Sequence, residues 1–406
     1  MPFRDPFEAA AAILAACQSG SAWDPAALDC LIGADSPALF SHLVEPLSDA
    51  FEPALCDAYA ALFATVISRV SPGLEAAALI QRYRQIRQPR PFAGDAADVC
   101  VLSRITLGAD IAVTSVFLDA AKRRFPRARI HFAGPAKNYE LFDADPRIQH
   151  LPAPYLRHGS LAERIAAGLS LREALPPGAL LLDPDSRLTQ LGLLPVVPAG
   201  RHLFFESRSY GGADSGQSIT ALAQHWVAEV LGIPDARNYM RTQAVPLQTG
   251  PGMIASSLGV GGNPAKRVAD PFEAELMQAL ASTGRPLLVD LGAGGEEEAR
   301  VRGALAGVPS SRNIGVWNGA FANFASSISA ASLYVGYDSS GQHAAAAFGI
   351  PRITVFAGFP NQRFLARWQP CGQGSSRSIL ASADAAEAIE QLRANLADLL
   401  RHGGGS

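Results

Sequence analysis

Four short segments carry the residue types best suited to chemistry. In Gly259-Val260-Gly261-Gly262-Asn263-Pro264-Ala265-Lys266-Arg267, consecutive glycines leave backbone amides open to a phosphate, and Lys266 adds a point charge. This is not a Walker A loop, because no glycine directly precedes Lys266, and Pro264 fills the last place of a G-x-G-x-x-G pattern. In Gly292-Ala293-Gly294-Gly295-Glu296-Glu297-Glu298, three glutamates open a helix, where the helix dipole favours them. A carboxylate at such a turn also suits the two hydroxyls of a ribose. In Asp338-Ser339-Ser340-Gly341-Gln342-His343, the polar side chains stand at the free amides of an alanine-rich helix, as caps or as an anion site. Ser339 lacks a G-x-S-x-G elbow, which argues against a serine hydrolase. In Leu107-Gly108-Ala109-Asp110, a carboxylate stands between strand and helix, either as an N-cap or over the edge of a sheet.

The elements around these segments form two α/β halves. Val99-Cys100-Val101-Leu102 is a short apolar run, as a buried parallel strand should be. A helix follows over 110–124, with Ala112, Val113, Val116, Phe117, Ala120 and Ala121 on one face, and Arg129-Ile130-His131-Phe132 is the next strand. That is a βαβ unit. Further strands are expected at 180–182 and 203–205. The pattern restarts near Val245-Pro246, with strands at 253–255, 287–289, 333–335 and 353–356. A last helix over 383–400 carries Ile389, Leu392, Leu396 and Leu399 as its stripe, with Asp384 as its cap. Residues 1–95 are rich in alanine and leucine, with Asp24-Pro25, Ser36-Pro37 and Ser71-Pro72 as helix starts. The basic, proline-closed stretch 81–91 reads as a linker. The expected organisation is therefore a helical domain over 1–95, Rossmann-like domains over 96–245 and 246–380, and a C-terminal helix over 381–402.

Composition bounds the function. The chain has 406 residues, 48% hydrophobic and 17% charged, which suits several packed cores and excludes a mostly disordered chain. The net charge of −3 gives no polycation for nucleic acid. Five scattered cysteines without a C-x-x-C pair fit neither a zinc ribbon nor a disulfide scaffold, and suit a reducing cytoplasm. Neither a secretory signal nor a membrane-spanning run is evident. Gly403-Gly404-Gly405-Ser406 reads as a flexible tail. Arginines at 82, 84, 87 and 90, and the basic residues at 122–124, 127 and 129, form two clusters suited to solubility or to a phosphorylated lipid surface.

Over 98–370 these pieces together resemble glycosyltransferase family 9, the ADP-heptose heptosyltransferases. The matching pieces are the turn ending in Asp110, the loop 261–266, the turn 292–298, and Asp338 to His343 followed by alanines and Gly349-Ile350-Pro351. Three departures stand out: Gly108-Ala109-Asp110 is one residue longer than the family's Gly-Asp, Gly261 and Gly262 replace hydroxyl side chains, and Ser340 precedes the glycine. The resemblance implies a GT-B fold, with the last helix crossing back to the first half. It implies an inverting, metal-independent transfer from a nucleotide-diphosphate sugar, ADP-linked and heptose-like, to a glycan, glycolipid or protein hydroxyl. Asp110 would be the base. Gly261, Gly262, Lys266, Glu296, Asp338, Ser339, Ser340, Gly341 and His343 would hold the donor, with Glu296 on the ribose. Arg104, Arg208 and Tyr210 are acceptor-side candidates, the last two in a polar loop over 208–216. Neither a cofactor nor a metal site is expected. Contact with the inner membrane face and self-association through the N-terminal helices are further expectations. A GT-B nucleotide-sugar epimerase and a non-catalytic sugar-nucleotide scaffold stay open as alternatives.

Overall fold

A computed structural model describes residues 3–402 apart from positions 36, 157, 158, 247, 251, 262, 293, 310 and 382–384. Gly262, the Asp384 cap, the Ser36 helix start and the tail 403–406 therefore lie outside the described residues.

The first sheet holds β1 (Asp98–Leu102), β2 (Arg129–Gly134), β3 (Ile148–Pro152), β4 (Leu180–Asp183) and β5 (His202–Phe204). They run parallel in the order β3-β2-β1-β4-β5, the Rossmann arrangement. The second sheet holds β6 (Ile254–Ser257), β7 (Leu287–Asp290), β8 (Ile314–Trp317), β9 (Leu333–Tyr337), β10 (Arg352–Phe356) and β11 (Ser376–Leu380). Its order is β11-β10-β9-β6-β7-β8, again all parallel. Parallel sheets need cover on both faces, and all five residues of β1 are buried. Val99 and Val101 face one core, with Val113, Phe117, Trp226 and Val227 from the helices Ser115–Arg124 and Ile219–Leu231.

Cys100, Leu102, Ala133, Leu181 and Phe204 face the other core, and there the N-terminal helices enter. Pro6–Ser19, Pro25–Gly33, Glu45–Asp49, Pro53–Val70 and Ala76–Ile86 form where proline opens the first turn or alanine and leucine carry it. Asp5 and Asp24 cap the first two helices through the amides of Phe7 and Ala26. Ser71 ends Pro53–Val70 rather than starting a helix, and the chain turns helical again at Ala76. Leu28, Leu31, Leu62, Phe63 and Ile67 are fully buried in the core shared with β1. At roughly 1.5–3 kcal/mol per such side chain, this burial is far larger than the helices' own propensities. The expectation of a separate domain over 1–95 is corrected: the segment is the second covering layer of the first sheet. Pro53–Val70 is long and apolar enough to cross a membrane by length and composition, and half of it is buried here.

The C-terminal helix Ala385–His402 also departs from expectation. Ala388, Ile389, Leu392, Leu396 and Leu399 pack with Phe272, Leu276, Leu280, Ile353 and Ile379, and Arg393 pairs with Glu275 at 2.7 Å. Its apolar stripe is spent on the second sheet rather than crossing back to the first. The helix Gln362–Trp368 reaches across instead. Its Arg367 donates to the carbonyls of Gly212 (2.8 Å) and Gln217 (3.1 Å), and its Arg363 pairs with Glu52.

Candidate functional site

The two halves meet where the first turn of one touches a helix start of the other. Leu107–Ala109 follows β1 and its extension; Ser340–Ala347 follows β9. A Cβ on Gly108 would come within 3.2 Å of the His343 ring and 3.3 Å of the Ser340 Cα, so any larger residue would push the two turns apart by a few tenths of an ångström. Gly341 is required: a Cβ there would lie 2.0 Å from the Tyr334 hydroxyl. This accounts for Gly341 standing one place later than the resemblance suggests, since Tyr334 fills the space beneath that turn. Ser339 is extended and caps nothing with its side chain, so the first amides of the Ser340–Ala347 helix are open to an anion.

Lys266 closes a short 3-10 turn, Pro264–Lys266, capped by Asn263. Its Nζ donates to Asp338 Oδ2 at 2.7 Å and to the Asp338 carbonyl at 3.3 Å. These bonds tie the turn Pro264–Lys266 to the segment after β9. Gly261, at φ 64°, has open space around it. Asp338 also accepts from Gln342 Nε2 at 2.5 Å. His343 is buried edge-on to Trp368, and burial pushes its pKa down to about 4, against the pull of Asp338. Its imidazole is neutral at physiological pH.

Other expected residues lie elsewhere. Glu296 is 81% exposed in its side chain and pairs with Arg267 at 3.1 Å. Glu297 turns back over both glycine turns: its carboxylate accepts from the Val260 amide at 3.4 Å and lies against Gly292. Arg208 is a buried strut rather than an acceptor contact, with Nε 3.0 Å from Asp185 Oδ2 and its guanidinium 5.0 Å from the Tyr59 ring centre. The Tyr210 hydroxyl donates to Glu229 at 2.8 Å, which fixes it on the helix Ile219–Leu231. The loop 208–216 is held by Arg208 and Tyr210 at its start and by Arg367 farther on, so it is not a free lid. Arg104 donates to the Pro184 carbonyl and, at 3.0 Å, to Ser207. Part of each basic cluster is spent on contacts within the fold: Arg82 on the Val197 carbonyl and His202, Arg87 on Glu206, Lys122 on Asp145, and the exposed Arg129 on Asp98.

Asp110 has no exposed surface. Oδ1 accepts from the Arg104 amide and Thr114 Oγ1, and Oδ2 from Ser103 Oγ and Asn138 Nδ2, all at 2.6 Å. Burial raises its pKa, and the four donors pull it back. Its carboxylate begins the π-helical turn Asp110–Thr114 and holds the whole β1 turn together.

Two facing Rossmann-type sheets with a glycine turn of one against a helix start of the other define a GT-B fold. Known structures share it. A glycosyl transferase family 9 protein from Veillonella parvula DSM 2008 superposes with a TM-score of 0.57 at 14% identity, over 77% of this chain and 99% of that one. The E. coli heptosyltransferase WaaC with ADP superposes at 0.55 and 16% identity, over 76% and 100%. The E. coli ADP-heptose lps heptosyltransferase II superposes at 0.50 and 17% identity, over 74% and 99%. No family model and no curated protein matches the sequence.

Proposed function

We propose that the chain is an inverting glycosyltransferase, moving a heptose-like sugar from an ADP-linked donor to a hydroxyl on a bacterial glycan, glycolipid or protein. The observation that carries this reading is the joining of Lys266, Asp338 and the open start of Ser340–Ala347 against the Leu107–Ala109 turn. It supports reading the second half as the anion-binding side of a cleft that the first half faces. One structure of the same fold is a heptosyltransferase with ADP.

In this reading, Lys266, the amides of Gly261 and Gly262, and the start at Ser339, Ser340 and Gly341 offset charge building on the leaving diphosphate. Asp338 orients Lys266. Neutral His343 donates to the diphosphate or braces the helix. Glu296 or Glu297 takes the ribose, and Glu297 is already folded over the glycine turns. The donor is a substrate, and the scheme calls on no resident cofactor, metal or nucleic acid. The base role of Asp110 rests on the resemblance, whereas its four donors favour a turn-holding role. Free cysteines at 17, 30, 56, 100 and 371 suit a cytoplasmic enzyme.

Calorimetry against ADP, UDP, GDP and dTDP tests the reading, with selective ADP binding expected. Binding of another nucleotide alone would change the donor, and binding of none would remove the reading. Lys266→Ala should weaken nucleotide binding about 10–100-fold, the loss of roughly 1.5–3 kcal/mol for a charge-assisted contact. An unchanged dissociation constant would remove Lys266 from the phosphate site.

A further inference from the structure

We propose that Asp49, carried into the cleft by the N-terminal helices, is the carboxylate that takes the proton from the acceptor hydroxyl. This rests on the glycosyltransferase reading and adds to it a residue from outside the two Rossmann-type halves.

The segment 45–52 is tethered to both halves. Glu45 lies 4.0 Å from Arg187, in the connection after β4. Glu52 pairs with Arg363 of the second half. Phe51, 2% exposed, packs against Phe364 with ring centres 6.3 Å apart, and the Arg367 guanidinium lies 5.9 Å from its ring centre. Lys266 Nζ is 5.5 Å from the same Phe364 ring. Position 49 is thereby held within electrostatic reach of the phosphate-side lysine. The charges that act on it are Arg187 and Arg104 of the first half, Lys266 of the second, and Glu45 on its own helix.

The other carboxylates at these sheet edges are already committed. Asp110 has four donors, and Asp338 holds Lys266 and Gln342. Asp183 accepts from the Ser186 amide, Thr189 and His202; Asp185 accepts from Ser207 and Arg208. Asp49 is half-buried, and among the described residues its carboxylate takes part in no hydrogen bond or ion pair, so its lone pairs are open to a substrate. Burial raises its pKa to about 6 against the three cations, which suits a base working near neutral pH. In the transfer, the acceptor O–H bond breaks and its proton passes to an Asp49 oxygen. The acceptor oxygen's electron pair forms the bond to the anomeric carbon. The bond from that carbon to the diphosphate oxygen breaks, and its pair leaves on the diphosphate beside Lys266.

ADP-glucose and UDP-glucose are suitable probes, because neither diphosphate titrates between pH 5.5 and 8, and His343 stays neutral over that range. Protonating Asp49 removes a negative charge beside Lys266 and Arg104. The wild-type chain should therefore bind the preferred probe about 3–10-fold tighter at pH 5.5 than at pH 8. Asp49→Asn should bind it equally at both, with the affinity of the low-pH wild type. Asp49→Asn should also slow nucleotide release from the probe at least about 100-fold and lose the acid limb near pH 6. The same pH slope in both proteins, or wild-type turnover in Asp49→Asn, would overturn the inference and leave the transferase reading standing. Failure of both proteins to bind ADP, UDP, GDP, dTDP or either probe would remove the transferase reading and Asp49's role with it.

Discussion

Asp110→Ala should destabilise the protein by about 3–5 kcal/mol, whereas Asp110→Asn should cost about 1–2 kcal/mol. The difference follows from the four donors converging on the carboxylate. Alanine strands all of them in a fully buried space: the Arg104 amide, the Asn138 amide group and the hydroxyls of Ser103 and Thr114. The two hydroxyls can rotate to other acceptors, but the Arg104 amide cannot. Asparagine keeps one carbonyl for the Arg104 amide and Thr114, and turns an amide toward Ser103 and Asn138. Asn138 can answer by flipping, because its own Oδ1 has no hydrogen-bond partner. Equilibrium denaturation of the two variants measures the difference, and equal costs would show that the donors are not what the carboxylate supplies. The same pair separates structure from chemistry. Asp110→Asn should stay folded and bind nucleotide, so its turnover reports on the base role alone. Retained turnover in Asp110→Asn, with loss in Asp49→Asn, assigns the proton to Asp49.

The two-sheet architecture was legible because most interior strands carry a short apolar run, as at 99–102, 180–182 and 287–289. The strands that the sequence reading misses are β3, β8 and β11, and all three are sheet edges. Their residues are only partly buried, as in Ser376–Leu380, where Ile379 alone is buried, so β3 and β11 carry no apolar run and the one in β8 is broken by Gly315. β5 is also an edge, yet it is visible, because the N-terminal helices cover it and bury His202 and Phe204. Within the site, Lys266, Asp338, Ser340 and His343 were legible because each sits a fixed step after a strand. The choice between Glu296 and Glu297 was not. A run of three glutamates carries no phase, and the geometry of the Gly295 turn decides which one folds back. Arg208 and Tyr210 looked like loop residues because their burial comes from Tyr59, Tyr83 and Glu229, all distant in sequence. Asp49 gave no local signal at all. Its place depends on how a helical layer docks across two halves that the sequence presents as a separate unit.

That docking should depend heavily on Arg208. Its guanidinium is buried with Asp185 Oδ2 at 3.0 Å, Glu206 Oε1 at 3.5 Å and the Tyr83 hydroxyl at 3.4 Å, beneath the Tyr59 ring. Tyr59 and Tyr83 belong to the N-terminal layer; Asp185 and Glu206 end the strand connections of the first sheet. Arg208→Met fills the volume but leaves two buried carboxylates facing each other, with Arg87 still on Glu206. Removing one partner from a buried ionic cluster costs about 3–5 kcal/mol. Arg208→Met combined with Asp185→Asn should recover part of that loss, because one of the stranded charges is then gone. The pH dependence has a definite sign. Burial already raises the Glu206 pKa, and losing a cation raises it further. A folded-state pKa above the unfolded one favours the fold at low pH, and that advantage disappears as pH rises through the folded value. The penalty for Arg208→Met should therefore be smaller at pH 5 than at pH 8, read from denaturation at the two pH values. A penalty equal at both would mean that the carboxylates are not the stranded groups. Because the N-terminal layer carries the segment 45–52, the variant should also loosen Asp49 and lower turnover even where the protein remains folded. Arg208 would then act on transfer through the seat of the helical layer, without meeting an acceptor.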